Sequence, residues 1–361
     1  MKHFLKIFLT VIIVIVALVV VFAIGLITWL SIKEYKPEPT LALEIKKSSD
    51  SGSVSEIENP DSKKDLTILS WNIGYAGLGK GSDFFMDGGK GVQSADRQTV
   101  EKYLSGIKEF ISGQDADIVM LQEVDTDSAR TYGINEADAL ASGNFVHALN
   151  YSCPFVPYPF PPIGKVHSGL LTTTGYEIEK ADRIALPCPF SWPVSTANLK
   201  RCLLASYLPI EGSSKQLVIV NFHLEAYDDG EGKIAQTKML REFIQNEYEK
   251  GNYVIAGGDF NQTFPGTLDI YPIMQSDYWV PGELDSDILP EGWSFAYDTS
   301  APSCRLLNQP YDRADKNTQH YVLDGFILSP NIQLNSVENI DLLFENSDHN
   351  PVILNVSLKT P

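Results

Sequence analysis

The chain has 361 residues, of which 43% are hydrophobic and 20% are charged; this composition is typical of a folded globular protein and excludes a wholly disordered chain or a coiled coil. The formal net charge of -18 at pH 7 repels nucleic acids and other polyanions at long range, so a phosphate-rich partner needs bound cations or a local basic patch to approach. Four cysteines, Cys153, Cys188, Cys202 and Cys304, show no CxxC spacing and no clustering with histidine, which argues against a structural zinc site and leaves one or two disulfides open.

The first predicted element is a membrane-spanning helix. Residues 7–32 carry no charged side chain and are dominated by Ile, Val, Leu and Phe, and about 20 such residues suffice to cross a bilayer. The apolar part of a cleaved secretory signal is shorter, about 7–15 residues, and ends at a small-residue cleavage site. The sequence therefore favours an uncleaved single-pass anchor. Basic residues flank both ends and give only a weak orientation signal, and we expect the short N-terminus inside and the folded part outside the cytoplasm.

The segment after the anchor has a different composition. Residues 33–65 are rich in Ser, Lys, Glu and Pro and have few apolar runs, which is typical of a flexible, solvated tether. Residues 66–361 then remain, and they are long enough for one large folded domain.

Short apolar runs within this domain predict buried strands. The predicted strands are Leu66–Trp71, Asp117–Leu121, Leu217–Phe222, Tyr253–Ala256, Tyr321–Leu328 and Val352–Leu358. Two stretches, Gln98–Ile111 and Lys233–Tyr248, place apolar residues on one face at helical spacing and predict amphipathic helices. Strands with mixed hairpin and helix-crossover connections favour an α+β domain with two packed sheets covered by helices.

Polar residues that can bind metal or phosphate follow four of these runs directly. LTILSW leads into Asn72, DIVMLQ into Glu123, LVIVNF into His223, and YVIAGG into Asp259, with Asn261 two residues further on. Any one of them alone is usually a turn or a helix cap. A rigid strand, however, fixes the side chain at its end on the rim of the core, where ligands bind in α/β folds.

Two further positions near the C-terminus extend this pattern. Asp324 follows the run YVL, and Asp348-His349 precedes PVILNVSL. The whole set offers carboxylates, carboxamides and imidazoles but no thiolate, so its donors suit Mg²⁺ or Mn²⁺ and not an iron–sulfur or zinc site. An aspartate beside a histidine also forms a pair that can transfer protons.

Six motifs in a fixed order carry a family resemblance. They are WN (Trp71-Asn72), QE (Gln122-Glu123), NFHLEA (221–226), GGDFN (257–261), DGF (324–326) and SDH (347–349). Together they resemble the endonuclease/exonuclease/phosphatase superfamily over nearly all of residues 66–361. The resemblance implies a four-layered α/β/β/α sandwich with two mixed sheets. It also implies hydrolysis of a phosphate ester by in-line attack of water, dependent on a divalent metal.

The resemblance also implies which residues hold the metal. Glu123 would bind Mg²⁺, with Mn²⁺ as the alternative, and Asn72 would lie beside it. Asp348 would face this metal or a second metal site.

Five residues would then carry the chemistry. Asp259 would orient or deprotonate the attacking water, and Asn261 would hold a phosphate oxygen or support the site. His349, oriented by Asp324, would bind the phosphate and stabilise its developing charge or transfer a proton. His223 would contact the scissile phosphate or the leaving oxygen.

The sequence also departs from part of the family pattern. Members that act on abasic DNA carry an acidic residue two places after the asparagine, where this chain has Gly74, and this weakens a DNA-repair role. NFHLEA instead is similar to the NTHL-type motif of the sphingomyelinase-like and related phosphodiesterase branches. Arg201, at the start of the preceding strand RCLLASYL, is similar to a basic residue of these branches. We expect Arg201 and His167 to contribute to substrate binding.

Three functions are compatible with the sequence. The leading one is a membrane-anchored phosphodiesterase or phosphatase that acts on a phospholipid headgroup or another small phosphoester. A nuclease needs a Lys/Arg track along its cleft, which 28 basic against 46 acidic residues make harder to build. An inactive binding module would lack parts of the constellation, which is complete here. The oligomeric state is left open.

Two segments rich in proline and aromatic residues fall outside these motifs. They are YSCPFVPYPFPPIGK (151–165) and PCPFSWP (187–193). Such loops either pack over the edge of the core or dip into a lipid interface beside the anchor.

Overall fold

A computed structural model describes residues 2–49, 52, 54–93, 96–228 and 230–360. In this part of the chain there are four α-helices: α1 (Lys2–Lys33), α2 (Arg97–Ser112), α3 (Glu136–Leu140) and α4 (Glu231–Glu249). The same residues form eighteen strands: β1 (Thr40–Ala42), β2 (Lys46–Lys47), β3 (Asp65–Asn72), β4 (Ile118–Asp125), β5 (Asn144–Val156), β6 (Gly164–Thr174), β7 (Lys180–Ala185), β8 (Cys202–Pro209), β9 (Gln216–His223), β10 (Tyr253–Asp259), β11 (Gln262–Thr263), β12 (Gly282–Glu283), β13 (Ser294–Ala296), β14 (Cys304–Arg305), β15 (His320–Tyr321), β16 (Asp324–Leu328), β17 (Ile332–Asn339) and β18 (Val352–Leu358).

Fourteen of these strands form two seven-stranded mixed sheets. Sheet I has the order β17-β18-β3-β4-β6-β5-β2, and sheet II has the order β1-β7-β8-β9-β10-β16-β13. Each contains one parallel pair, β3 with β4 and β9 with β10, while the other neighbours are antiparallel. The two parallel pairs lie next to each other in the sandwich, because β10 contacts both β3 and β4.

Alternation along the strands builds the layers. In β3, Ile68 points into the space between the sheets and packs with Ile219 and Ile255 of sheet II. The next residue, Leu69, points the other way and packs against α2 through Ile107. On the outer face of sheet II, α4 covers the alternate residues of β9 and β10. The order is therefore helix, sheet, sheet, helix, which confirms the predicted α+β four-layered sandwich.

The predicted elements correspond to observed ones. The six predicted strands match β3, β4, β9, β10, β15 with β16, and β18, and the two predicted helices match α2 and α4, each within a few residues at its ends. The run Tyr321–Leu328 is interrupted between β15 and β16, just before Asp324.

The segment predicted as a flexible tether differs from that expectation. Within residues 33–65, β1 pairs with β7 at the edge of sheet II, and β2 pairs with β5 at the edge of sheet I. Ile57 is buried in the core between the sheets. The chain is therefore held against the domain here, because exposed sheet edges offer unpaired backbone groups to a neighbouring segment.

The N-terminal helix α1 covers and extends the predicted anchor. Residues 3–33 have a mean hydropathy of 3.5 in their most apolar window, and none of that window is buried. By length and composition the helix qualifies as a membrane span, and an N-terminal signal sequence would qualify in the same way. Its last turns contact β5 and the short turn Val194–Ala197 of the domain.

Candidate active site

The strand ends of both sheets meet at one edge of the sandwich. Parallel pairing of β9 with β10 places His223 beside Asp259, and antiparallel pairing of β10 with β16 places Asp259 opposite Asp324. Asn72, at the end of β3 in the other sheet, donates from Nδ2 to Asp259 Oδ2 at 3.0 Å. The predicted convergence of polar strand ends is thus present in the structure.

A buried aspartate–histidine pair lies next to Asp259. His349 Nδ1 donates to Asp324 Oδ2 at 2.8 Å, and His349 Nε2 lies 3.8 Å from Asp259 Oδ2. Ligand atoms of Asp259, Asp324 and His349 all lie within 4.8 Å of one another. Asp324 Oδ2 also accepts from Ser303 Oγ at 2.7 Å, which fixes the carboxylate that orients the ring.

The two histidines of the site have opposite charge preferences. Burial alone lowers the pKa of His349, but the facing carboxylates of Asp324 and Asp259 hold it well above the ordinary value. Burial, with repulsion from Arg201 and His349, holds the pKa of His223 well below its ordinary value. These opposite shifts favour the protonated form of His349 and the neutral form of His223. His223 Nε2 lies 3.4 Å from Asp259 Oδ2.

Asp259 is held in place from several directions. Its Oδ1 accepts from the backbone N–H of Asn261 at 2.8 Å. The side chain of Asn261 donates from Nδ2 to Leu224 O at 2.9 Å, and its backbone has the left-handed φ of 50°. Burial raises the pKa of Asp259 to about 7, against the attraction of His349, and the nearby charge of Asp324 raises it further. The carboxylate is thus poised to exchange a proton near neutral pH.

Glu123 lies at an irregular point of β4. The register between β4 and β6 shifts between Leu121 and Val124, and Glu123 has a φ of 56°, a region that non-glycine residues rarely adopt. Such bulges re-aim a side chain, and here Glu123 Oε1 accepts from Asn72 Nδ2 at 3.1 Å. Asn72 therefore bridges Glu123 in sheet I to Asp259 in sheet II.

The donors in this region fit a hard divalent cation. Burial raises the pKa of Asp348 to about 7, His349 opposes this rise, and the nearby charge of Glu123 adds to it. A cation is electrostatically favoured where the charge of one carboxylate disfavours the ionisation of another, as the charge of Glu123 does for Asp348. Asn72 Oδ1 already accepts from Gly74 N–H at 3.0 Å, so it has one remaining lone pair to offer a metal.

Comparison with known proteins identifies the family that the sequence motifs resemble. A family model described as "Endonuclease/Exonuclease/phosphatase family" matches residues 69–349. The chain belongs to this family. Members of the endonuclease/exonuclease/phosphatase family are hydrolases that act on phosphate ester bonds, generally with a divalent metal, and this chain is an enzyme of that class.

Solved structures share the fold. An endonuclease/exonuclease/phosphatase from Beutenbergia cavernae is 15% identical with a TM-score of 0.55, and the match covers 82% of this chain and 72% of that one. One from Bacteroides vulgatus is 18% identical with a TM-score of 0.51, covering 82% and 100%. ANGEL2, described as a 2′,3′-cyclic phosphatase, is 15% identical with a TM-score of 0.51, covering 88% and 98%. No curated protein matches the sequence. At these identities the likeness shows the family fold alone.

Arg201 lies beside the end of β9 and contacts groups of the protein. Its side chain is buried, and it donates from Nε to Glu225 Oε2 at 3.1 Å and from Nη1 to the backbone oxygen of His223 at 3.0 Å. Arg201 therefore holds the end of β9 and so positions His223, as expected for a buried arginine, which must satisfy its donors. The substrate contact expected of Arg201 stays a prediction.

His167 lies on β6 and is partly buried. Its Nε2 is 2.9 Å from Ser152 Oγ on the adjacent strand β5, and its backbone N–H donates to Ser128 Oγ. These partners are not among the strand-end residues that surround Asp259. Substrate contact by His167 stays a prediction.

A buried network behind Glu123 was not predicted. The guanidinium of Arg130 lies 3.5 Å from the centre of the Tyr75 ring and donates to both oxygens of Asp125, at 2.9 and 3.0 Å. Asp125 in turn donates its backbone N–H to Glu136 Oε2 at 2.8 Å. These contacts hold β4 directly after the bulge. Only the two-residue spacing between Glu123 and Asp125 in the sequence could have indicated it.

Aromatic side chains lie beside the site at its mouth. Tyr227 Oη donates to Asp87 Oδ1 at 2.9 Å, which joins the loop after β9 to the loop after β3. Trp279 Nε1 donates to Ala226 O at 2.9 Å. Burial raises the pKa of Asp87, although the hydrogen bonds from Tyr227 Oη and from the backbone N–H of Leu307 oppose this rise.

Proposed function

We propose that the chain is a membrane-anchored, divalent-metal-dependent phosphoesterase. It hydrolyses a phosphodiester or phosphomonoester by in-line attack of water, with a phospholipid headgroup or another small phosphoester as substrate. The observation that carries this proposal is the buried Asp259, which neutral His223, the Asp324–His349 pair and the Asn72 bridge surround on three sides.

Asp259 accepts the proton of the attacking water. Its pKa of about 7 matches a base that works at neutral pH. The backbone N–H of Asn261 and the side chain of Asn72 each donate to one carboxylate oxygen, so the carboxylate is held in one orientation. The water is thereby oriented as well as activated.

His349 stabilises the charge of the phosphoryl group. Asp324 holds the imidazole in one orientation and keeps it protonated, so Nε2–H is a charged donor aimed at the space beside Asp259. Fixed donors that meet developing negative charge are a large contribution to phosphoryl transfer. His223, which is neutral and lies next to Asp259, donates a hydrogen bond from Nε2–H to the phosphoryl or leaving oxygen.

Glu123 and Asp348 would hold Mg²⁺ or Mn²⁺. Asn72, which donates to both Glu123 and Asp259, lies beside them. The cation supplies charge neutralisation and Lewis-acid polarisation of a phosphoryl oxygen when it is bound. The bulge at Glu123 and the Arg130 network behind it hold the Glu123 side chain in position.

The anchor and its orientation are part of the same proposal. Helix α1 is long and apolar enough to span a bilayer, with the domain outside the cytoplasm. A nuclease is the alternative that the fold also allows. The formal net charge of -18 supports a small or lipid phosphoester over a nucleic acid.

The test is hydrolysis by the full chain in detergent or lipid nanodiscs, on parallel panels of plasmid DNA, sphingomyelin, phosphoinositides and bis-p-nitrophenyl phosphate. We expect turnover with Mg²⁺ or Mn²⁺, loss with EDTA, and a response on a lipid or small-molecule panel. Turnover of DNA alone would favour the nuclease. A folded protein that binds metal but hydrolyses none of the panels would contradict the proposal.

A further inference from the structure

Four large apolar side chains are exposed on two neighbouring loops of the domain. We call this set the aromatic rim. Tyr158 and Phe160 lie between β5 and β6, and Trp192 and Val194 lie between β7 and β8; their exposed fractions are 70%, 95%, 66% and 57%. A cluster of exposed apolar residues of this size usually marks an interaction surface.

The rim lies at the base of α1. Trp192 Nε1 donates to Ser31 Oγ in the last turn of the helix at 3.0 Å. One turn of α1 is buried on the domain through Leu30, which packs with Val156 and Val166 on the two strands that carry the first loop. The rim and the exit point of the helix are therefore at the same level.

When α1 spans a bilayer, as the proposed function requires, this level is the surface of the bilayer. The uncharged stretch 7–32 has 26 residues, which span about 39 Å at ~1.5 Å per residue, against a hydrocarbon core of about 30 Å. The last turns of α1 thus stand in the interfacial layer, where Trp and Tyr are enriched in membrane proteins. Charged residues follow at once: Lys33 ends α1, and Glu34 pairs with Lys36 at 3.0 Å and with Lys200 at 2.9 Å.

The rim is also connected to the mouth of the active site. The rings of Tyr158 and Phe85 are in edge contact at 5.9 Å between centroids, and Gln93 Nε2 donates to Pro162 O at 3.0 Å. Phe85 and Gln93 belong to the loop that follows Asn72. That loop carries Asp87, the partner of Tyr227 over the site.

We propose that the aromatic rim inserts into the membrane–water interface beside α1 and presents the active site to phosphoesters held in the same leaflet. This inference rests on the proposed phosphoesterase function and narrows its substrate class to a lipid phosphoester. We assign lipid as the partner of the aromatic rim because the rim contacts α1 through Ser31. When α1 spans a bilayer, the rim therefore lies at the surface of that bilayer.

The direct test measures contact with lipid. In the full chain with Cys188→Ser, an environment-sensitive fluorophore is attached at Phe160→Cys; the other three cysteines are buried. The matched control is Ile234→Cys on α4, which is 63% exposed. In vesicles that contain lipids brominated near the headgroup, we expect at least threefold stronger quenching at position 160 than at 234. Equal, weak quenching at both positions would overturn the inference.

A second copy of the chain is the other occupant that the test can detect. In detergent, emission at position 160 that depends on protein concentration, combined with no quenching by brominated lipid in vesicles, would assign the rim to self-association and overturn the lipid assignment.

Kinetics separate docking from catalysis. The double variant Phe160→Ser/Trp192→Ser should lose at least tenfold in the rate on a phospholipid in vesicles and keep its rate on soluble bis-p-nitrophenyl phosphate. An equal loss on both substrates would overturn the presenting role. If the unmodified chain hydrolyses neither substrate, the proposed function fails, while the quenching result still decides whether the rim is in the membrane.

Discussion

Replacing Asp324 with asparagine removes one charge from the centre of the site and changes little else. The carboxylate accepts from His349 Nδ1 at 2.8 Å and from Ser303 Oγ at 2.7 Å. Asparagine has the same shape and can still accept from the serine hydroxyl. The imidazole loses the negative partner that keeps it charged and fixes its orientation, since Asp324 is the strongest attraction on that ring.

The size of the effect follows from the burial of the pair. Removal of one partner from a buried ion pair costs about 3–5 kcal/mol. If that interaction is realised in the transition state, at 1.36 kcal/mol per tenfold in rate the loss in kcat is on the order of 10²–10⁴. KM for a small soluble phosphoester should change far less, because the charge matters most where negative charge develops on the phosphoryl group.

The assay is steady-state hydrolysis of bis-p-nitrophenyl phosphate by the full chain in saturating Mg²⁺. The matched control is Asp269→Asn, a change of the same chemistry at an exposed position. Circular dichroism and thermal unfolding of both variants establish that they are folded. A folded Asp324→Asn variant that keeps more than a third of the activity would refute the role assigned to the His349–Asp324 pair.

Three further predictions concern groups around the site. Arg201→Met leaves Glu225 buried without its partner and should lower the free energy of unfolding by about 3–5 kcal/mol in urea titrations, whereas an effect below 1 kcal/mol would show that the pair is not structural. Glu123→Gln should raise the Mg²⁺ concentration for half-maximal activity at least tenfold, and an unchanged value would remove Glu123 from the metal ligands. Burial lowers the pKa of His147 to about 4. Because the unfolded chain binds this proton more tightly than the folded chain, the free energy of unfolding falls as pH drops from about 6.5 to 4, by at most ~3 kcal/mol. His147→Gln should reduce that fall, which thermal unfolding at pH 7 and pH 5 measures; an identical fall in both proteins would contradict it.

The sequence predicted the centre of the molecule better than its edges. Strands β3, β4, β9 and β10 are buried on both faces, so they appear as continuous apolar runs, and the polar residue at the end of each run stands out. This is why Asn72, Glu123, His223 and Asp259 could be placed together before their contacts were known.

Elements that depend on distant partners could not be predicted in the same way. The sequences of strands β1 and β2 show no strand pattern of their own. These strands form because they pair with sheet edges that lie more than 90 residues away in the chain. Ser303, which fixes Asp324, lies in an irregular segment without a strand-end pattern. The role of Arg201 depends on a carboxylate 24 residues away and on a carbonyl group, neither of which sequence spacing reveals.

The central claim is that Asp259 is the base of a metal-dependent phosphoesterase. The most direct measurement compares turnover of the full chain, Asp259→Asn and Asp269→Asn on the phosphoester to which the unmodified chain responds, in Mg²⁺ and in EDTA. We expect Mg²⁺-dependent turnover by the unmodified chain and by Asp269→Asn, and a loss of at least a thousandfold in folded Asp259→Asn. Turnover that survives in Asp259→Asn or in EDTA would contradict it.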